Sequence, residues 1–408
     1  MNFIFISPQF PKHYWNFCDR LKKNGVNVLG IGDSPYDALS DELKNALTEY
    51  YYLPHLDDYG EMVKAVGFFT FKYGKIDWIE SNNEFWLEQD ARLRTDFHVT
   101  TGEQYDHIDR IKNKSAMKAY YAKAGVPTAR LHKVTSFEAG RDFAHMVGYP
   151  VIVKPDNGVG ACDTYKLRSD DELAYFYATK PQDVPYVMEE FINGQIFSYD
   201  AILDSHSEPL FESTTAWPPS IMDIVLKQLD LAYYTAATVP EALRRAGRAT
   251  VKAFGVRSRF VHLEFFCLAE DKEGLGKKGD FVGLEVNMRP AGGYTPDMMN
   301  YAHSTDVYQI WADMVTNDAT DVTQGEQFFC VYASQRDCHR YVHSDADIRR
   351  TYGERLVEAD RISPALADDM GDMAYTAKLR TDEERREFIR YVQERTPDDA
   401  ARPEDLAL

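Results

Sequence analysis

The sequence predicts an α/β fold. Over roughly the first hundred residues, short apolar runs alternate with amphipathic stretches of helical length. From about residue 196 onward the pattern becomes rich in strands, with apolar and polar residues alternating along them. Alternating strands and helices are typical of a parallel sheet covered on both faces, while strand-rich stretches favour antiparallel pairing.

The first part of the chain predicts a small parallel sheet. Strands are predicted at 2–6, 27–31, 50–53 and 77–79, and helices at 12–23, 59–73 and 84–95. This layout is Rossmann-like, but no Gly-x-Gly-x-x-Gly follows the first strand. A dinucleotide site therefore has little support.

The rest of the chain mixes both kinds of element. Helices are predicted at 111–124, 136–147, 170–179, 240–254 and 381–395, and strands at 129–134, 151–154, 163–167, 186–191, 260–268, 281–287, 328–334, 355–362 and 373–380. The strands at 260–268 and 281–287 flank a polar insert, which predicts a hairpin with a long solvated tip.

Composition narrows the class of protein. The 408 residues include 46 Lys and Arg against 65 Asp and Glu, a formal net charge of −19, which argues against a nucleic-acid partner. No apolar run approaches the length of a membrane span, so no membrane association is expected. The 5 cysteines form no Cys-x-x-Cys pair and favour neither disulfides nor zinc, so a cytoplasmic location is expected.

A lysine followed by a glycine-containing loop marks a candidate phosphate site. Lys154 ends the strand at 151–154, and Gly158 and Gly160 follow in the loop. A lysine at a strand end can reach phosphate oxygens, and glycines let backbone N–H groups approach the same oxygens. The alternative is an ordinary hairpin with a glycine turn, and the motif is not a Walker A sequence.

A second candidate lies where the strand at 186–191 ends. Glu189 and Glu190 precede Asn193-Gly194, and carboxylate and backbone groups there could bind the edge of an adenine. Taken alone, a strand end with solvated glutamates explains this stretch better.

The most specific pattern is an acidic pair on neighbouring strands. Glu264 alternates with apolar residues on one strand, and Glu285, Asn287 and Arg289 share a face of the next. Two carboxylates and an amide oxygen form a site suited to Mg²⁺, and Arg289 could clamp a phosphoryl group or a carboxylate. The alternative is a pair of half-buried glutamates balanced by Arg289.

In order along the chain, these motifs resemble the ATP-grasp superfamily of carboxylate-amine and carboxylate-thiol ligases, over roughly residues 1–320. The resemblance implies ATP-binding residues, magnesium ligands and catalytic residues, which are Lys114, Lys154, Gly158, Gly160, Glu189, Glu190 and Ile192 for ATP, Glu264, Glu285 and Asn287 for the metal, and Arg289 with Lys154 for catalysis. It implies ATP as cofactor, with Mg²⁺, or Mn²⁺ in its place.

The resemblance also implies a domain plan. It consists of a Rossmann-like pre-ATP-grasp domain at 1–110, an α+β lid subdomain with the glycine loop at 111–190, a catalytic and metal subdomain at 191–325, and an α+β extension at 326–408. The implied partners are a small-molecule carboxylate and an amine, with an amino acid among the candidates, and a homodimer is compatible with the sequence.

The substrate is expected in the cleft between the first domain and the metal strands. Glu80, Asn82 and Glu84 end a strand that faces this cleft, and Trp217 and Tyr233 lie where an acceptor pocket would form. Packing in the core explains these aromatic residues equally well.

The implied activity is formation of an amide through an acyl phosphate, with release of ADP and phosphate. One departure concerns the ribose: Ile196 stands where family members often carry an acidic residue. Two alternatives stay open, namely a biotin-carboxylase-like carboxylating enzyme and a catalytically silent ATP-binding regulatory protein.

Overall fold

The computed structural model describes residues 1–158, 163–217, 230–364 and 366–400. The strands are β1 Asn2–Ile6, β2 Asn27–Gly32, β3 Glu49–Tyr52, β4 Trp78–Glu80, β5 Leu131–Lys133, β6 Val151–Pro155, β7 Tyr165–Leu167, β8 Tyr186–Glu190, β9 Gly194–Leu203, β10 Pro209–Ser213, β11 Thr215–Trp217, β12 Ala232–Thr235, β13 Arg259–Leu268, β14 Phe281–Asn287, β15 Phe329–Gln335, β16 Leu356–Arg361 and β17 Met373–Leu379.

The described α-helices are α1 Trp15–Lys23, α2 Asp41–Ala46, α3 Tyr59–Tyr73, α4 Leu87–Asp96, α5 Asp109–Lys112, α6 Lys114–Ala124, α7 Phe137–Val147, α8 Asp170–Thr179, α9 Glu241–Phe254, α10 Thr295–His303, α11 Val307–Asn317, α12 Asp345–Tyr352, α13 Ala367–Met370, α14 Asp382–Gln393 and α15 Pro397–Ala400. Short 3-10 helices lie at Tyr36–Ala38, Glu84–Trp86, Tyr105–His107 and Gly353–Arg355. Within the described ranges, no helix combines the length and the apolar character that a membrane span needs.

The first sheet is parallel and covered on both faces, as predicted. Its strand order is β3-β2-β1-β4. Side chains alternate across β1, so Phe3 and Phe5 pack into one core while Ile4 and Ile6 pack into another with α3. This doubly covered sheet confirms the predicted α/β class.

Two further sheets follow. A small antiparallel sheet, with the order β5-β8-β6-β7, packs against α7 and α8. A nine-stranded sheet has the order β14-β13-β9-β11-β12-β15-β17-β16, with β10 paired to β9. The strands of the predicted C-terminal extension therefore continue the same sheet as the acidic strands β13 and β14, and the predicted hairpin between those two is confirmed.

Two helices that the sequence analysis did not predict join the first sheet to the large one. These are α10 and α11. Trp311 of α11 packs edge-on against Phe3 of β1 at 5.6 Å between ring centroids, and Phe260 of β13 belongs to the same buried cluster. Most residues of α11 are buried, while its polar residues Gln309, Asp313 and Thr316 recur at helical spacing, so the sequence does carry an amphipathic pattern in this segment.

The helix predicted at 111–124 is broken in two. Asn113 adopts an extended backbone conformation between α5 and α6. Asp156 explains the break, because its backbone carbonyl accepts the Lys114 N–H at 2.9 Å and its carboxylate accepts the Ser115 N–H at 2.7 Å. The first turn of α6 is thus capped from the loop after β6, a long-range contact that helical periodicity does not reveal.

We expect Gly247→Ala to lower the free energy of unfolding by about 1–3 kcal/mol. A Cβ at Gly247 in α9 would clash with the buried Tyr199 ring, so either the helix or the ring would have to move. Gly67→Ala in α3 is the matched control, since a Cβ there meets nothing within 4 Å. The control should gain up to about 1 kcal/mol from helix propensity. Urea denaturation of both variants measures the two changes, and equal stability of the two variants would contradict this packing account.

Candidate active site

Six polar side chains form a block on one face of the large sheet. On β13, His262 and Glu264 lie opposite Asn287 and Glu285 of β14. On the other side of β13, the same two residues lie opposite Asp200 and Ser198 of β9. Because opposed residues share a face, the strand register alone brings the three predicted metal ligands together.

His262 connects two carboxylates within this block. Its Nδ1 lies 2.6 Å from Asp200 Oδ1, and its Nε2 lies 3.1 Å from Glu264 Oε1. Burial favours the neutral imidazole, but the two carboxylates outweigh it and raise the pKa of His262 to about 9. The imidazolium therefore fixes the orientation of Glu264.

Lys114 faces the block from the start of α6. Its Nζ lies 3.3 Å from Glu285 Oε1 and donates to the Gly158 carbonyl at 3.2 Å. Burial raises the pKa of Glu285 and Lys114 opposes that rise, while the charge of Glu264 adds to it. Lys114, which was predicted to bind ATP, thus lies against Glu285, a predicted metal ligand. Gly160, which was predicted to bind phosphate, lies outside the described residues.

Glu189 forms ion pairs with two lysines. Lys154 Nζ of β6 lies 2.7 Å from its Oε2, and Lys118 Nζ of α6 lies 2.5 Å from its Oε1. Burial opposes ionisation of Glu189, but Lys154 and Lys118 outweigh it and lower the carboxyl pKa to about 2. The three side chains therefore form a charged cluster between the small sheet and α6.

The neighbouring residues of the predicted adenine segment have other contacts. Glu190 accepts the Arg130 backbone N–H at 2.7 Å and its guanidinium at 2.8 Å. Ile192 is buried in a small apolar cluster, and Lys272 of the β13–β14 connection donates to the carbonyl of Phe191 at 2.7 Å. These contacts tie the small sheet to the tip of the long hairpin.

Arg289 links the large sheet to the first one. Its Nε donates to Glu84 Oε2 at 3.2 Å, and the other oxygen of Glu84 accepts from Lys112 at 3.0 Å. Glu80, which the sequence analysis had placed at the cleft, is instead buried between Arg94 and Arg259. Of the acidic residues after β4, Glu84 is thus the one that reaches Arg289.

Comparison with known proteins places this arrangement in a fold family. No protein-family model matches the chain. An L-amino acid ligase from Bacillus licheniformis superposes with a TM-score of 0.69 over 96% of this chain and 96% of its own, at 15% identity. The protein has the ATP-grasp fold.

Further relatives agree with the ATP-grasp fold. An N5-carboxyaminoimidazole synthetase from Staphylococcus aureus, complexed with ADP, gives a TM-score of 0.68 over 95% of this chain and 96% of its own, at 14% identity. The L-arginine-specific L-amino acid ligase of Bacillus subtilis is 24% identical over 292 residues, which span 67% of this chain and 65% of that relative. The match thus covers slightly less than two thirds of the relative's length.

Some residues of this candidate site were missing from the sequence analysis. Lys118 follows Lys114 by one helical turn, so the spacing placed it on the same face. Ser198 and Asp200 alternate with apolar residues along β9, and this period of two could have placed both side chains on one face of the strand. Period-2 alternation along β13 places His262 on the same face as Glu264, but its pairing with Asp200 depends on the order of strands.

We expect Glu189→Gln to lower the free energy of unfolding by about 3 kcal/mol at pH 7, because the buried Lys154 and the half-buried Lys118 lose their counter-charge. Glu61→Gln, which removes an exposed helix pair with Lys64, is the control and should change little. Because the pKa of Glu189 is lowered from 4.5 to about 2, its stabilisation is present above pH 4.5 and disappears as the pH falls toward 2. Chemical denaturation at several pH values measures the difference in free energy of unfolding between the wild type and Glu189→Gln. A difference that stays constant down to the lowest pH would contradict the ion-pair account.

Proposed function

We propose that the protein is an ATP-dependent ligase that joins a small-molecule carboxylate, an amino acid among the candidates, to an amine. The observation that carries this proposal is the register of β13 and β14, which sets Glu264, Glu285 and Asn287 on one face beside Lys114. The ATP-grasp fold and the similarity to an L-amino acid ligase support the same reaction class.

The donor set fits a divalent cation held together with nucleotide phosphates. Two carboxylates and an amide oxygen are the hard ligands that Mg²⁺ or Mn²⁺ accepts, and Mg²⁺ commonly combines one or two carboxylates with phosphate oxygens. No group of three or more His, Cys, Asp and Glu suited to a metal occurs in the described part of the chain, which agrees with a shared ligand set. A cation here would also offset the burial and like charge that raise the pKa of Glu285.

The lysines would orient and neutralise the phosphates. Lys114 and Lys154 are both buried, with 5% and 8% of their surfaces exposed. Each is now paired with a glutamate, Glu285 and Glu189 respectively. We infer that the phosphates compete with these carboxylates for the ammonium groups. Glu189 would keep its ion pair with Lys118 when the phosphates take over Lys154.

Mg-ATP would supply the γ-phosphoryl group, so that the carboxylate becomes an acyl phosphate, and attack by the amine then gives an amide, ADP and phosphate. Arg289 would hold the carboxylate through guanidinium N–H groups that its contacts with Glu84 and Pro290 leave over. His262, fixed by Asp200, would keep Glu264 turned toward the metal. Positioning and charge neutralisation by these residues would lower the barrier without a covalent enzyme intermediate.

The decisive assay is release of ADP and phosphate from Mg-ATP by the full chain, with pooled carboxylic acids, with pooled amines including amino acids, and with both. Release that needs both pools supports the ligase. Release with bicarbonate as the only acid would point to a carboxylating enzyme. Binding of ATP without release in any mixture would overturn the proposal in favour of a regulatory role.

We expect Glu285→Gln to lower turnover by at least about a hundredfold, because the metal loses a charged ligand. The substitution relieves the repulsion with Glu264 but removes the counter-charge of Lys114, so thermal unfolding is needed to separate a loss of folded protein from a loss of turnover. Glu273→Gln, on the exposed tip of the same hairpin, is the control and should keep wild-type turnover. Steady-state ADP release together with thermal unfolding measures both effects, and full activity of Glu285→Gln would remove this residue from the metal site.

A further inference from the structure

The tip of the β13–β14 hairpin, residues 269–280, is an ordered element. Lys272 and Gly276 exchange two backbone hydrogen bonds of 2.9 and 3.0 Å, which close a tight loop. The carboxylate of Asp280 accepts the backbone N–H of Lys277 at 2.8 Å. Leu275 at the end of this loop is only 9% exposed, so the tip is not wholly solvated as the sequence predicted. An ordered connection of this length commonly has a function.

The chain crosses between the small sheet and the large sheet twice. The first crossing, residues 125–130, leads from α6 to β5, and the second crossing, residues 191–193, leads from β8 to β9. A shift of one sheet relative to the other changes the backbone of these two segments, because short connections between packed units act as hinges. Contacts that hold both crossings therefore also hold the small sheet relative to the large one.

The β13–β14 hairpin contacts both crossings through backbone hydrogen bonds. At the first crossing, Gly283 donates its N–H to the Pro127 carbonyl at 2.8 Å and is bridged to Thr128. At the second crossing, Ala269 donates its N–H to the Asn193 carbonyl at 3.0 Å. One hairpin of the large sheet is thus bonded to both segments that lead to the small sheet.

Two side chains of the hairpin tip add to these backbone contacts. Leu275 belongs to the same small buried cluster as Ala129 and Ile192, one residue from each crossing. Lys272 donates to the Phe191 carbonyl at 2.7 Å. A hydrogen bond from an ammonium group is stronger than one between neutral groups, and this one is partly buried. The tip therefore fixes the second crossing by both packing and charge.

Phe191 is bound on two sides by lysines from different sheets. Lys166 of β7 lies over its ring, with its Nζ 3.9 Å from the ring centre, while Lys272 binds its carbonyl. The same Lys272 Nζ lies 3.6 Å from Glu190 Oε2, and that oxygen also accepts from the Arg130 guanidinium at 2.8 Å. Lys272 is thus the residue through which the tip, the second crossing and the end of the first crossing meet.

We propose that the β13–β14 hairpin holds both crossings in place and that Lys272 is a positioning residue for nucleotide binding. Residues 189–192 are the predicted adenine-binding segment, so the positioning role rests on the proposed ATP-dependent function. A backbone that is already held in its binding conformation loses less conformational entropy when the ligand arrives. Loss of Lys272 should therefore weaken nucleotide affinity and leave the chemical step alone.

The test compares Lys272→Ala with Lys277→Ala in the full chain. Lys277 is exposed on the same tip and is the matched control. We expect Lys272→Ala to raise the dissociation constant for MgADP about tenfold in calorimetric titration, as loss of one charge-assisted hydrogen bond would. The KM for ATP should rise by a similar factor, while kcat changes by less than about twofold. Lys272→Arg can donate to the same carbonyl and should restore most of the affinity.

Hydrogen exchange of the nucleotide-free protein tests the hairpin contact by itself. Lys272→Ala should speed exchange of the amides at 191–194 about tenfold, because local opening of the crossing becomes easier. Lys277→Ala should exchange like the wild type. A general loss of stability would instead speed exchange throughout the large sheet, and that outcome would overturn the specific role of Lys272.

The two measurements separate the possible failures. Equal exchange at 191–194 in Lys272→Ala and Lys277→Ala would overturn the hairpin contact as a restraint. Faster exchange with unchanged MgADP affinity would overturn the positioning role. If the wild type binds MgADP but releases no ADP in any substrate mixture, the proposed ligase activity fails, while the two measurements still decide the role of Lys272. If the wild type does not bind MgADP, the positioning role fails together with the proposed function.

Discussion

Two carboxylates that stand directly opposite each other on β13 and β14 constrain the rest of the site. Glu264 and Glu285 are fixed by the strand register, and neither can move far without breaking the hairpin. Like charges at this distance repel, and burial strengthens the repulsion. Lys114 beside Glu285 and the imidazolium of His262 beside Glu264 are therefore structural necessities before any nucleotide or metal arrives. The site therefore consists of carboxylates paired with cations, and a charged ligand can rearrange these pairs.

The relation between the first sheet and the large sheet is fixed by charge as well as by packing. Arg259 of β13 and Arg94 of α4 share the buried carboxylate of Glu80, and Arg259 also donates to the backbone carbonyl of Met288, next to Arg289. Removal of Glu80 would leave two buried guanidinium groups without their shared counter-charge. The cleft that contains Glu84 and Arg289 thus has rigid walls on both sides, which favours a preorganised site over one assembled by ligand binding.

The sequence predicted the fold class and the three metal-ligand candidates because both depend on local periodicity. Alternation along β13 and β14 was enough to put Glu264, Glu285 and Asn287 on one face. It could not reveal Asp200, because the neighbour of β13 on its other side is a strand some sixty residues earlier in the chain. The break at Asn113 was missed for a related reason, since Asp156 caps α6 from 41 residues further along the chain. The helices at 295–303 and 307–317 were missed although both carry helical periodicity: Thr295, Met298, Met299 and Ala302 bury one side of the first, and Gln309, Asp313 and Thr316 form a polar stripe on the second.

The order of strands in the large sheet has a consequence for synthesis of the protein. The four strands of the first sheet all lie within residues 2–80, so this sheet can form early as the chain emerges from the ribosome. In the large sheet, β15 gains its second neighbour, β17, only after residue 379 has been translated, and β12 gains its second neighbour, β15, only after residue 335. Until then β12 exposes an unpaired edge, and the nascent chain is open to wrong pairing and to capture by chaperones. The large sheet thus completes its strand pairing well after the first sheet can form.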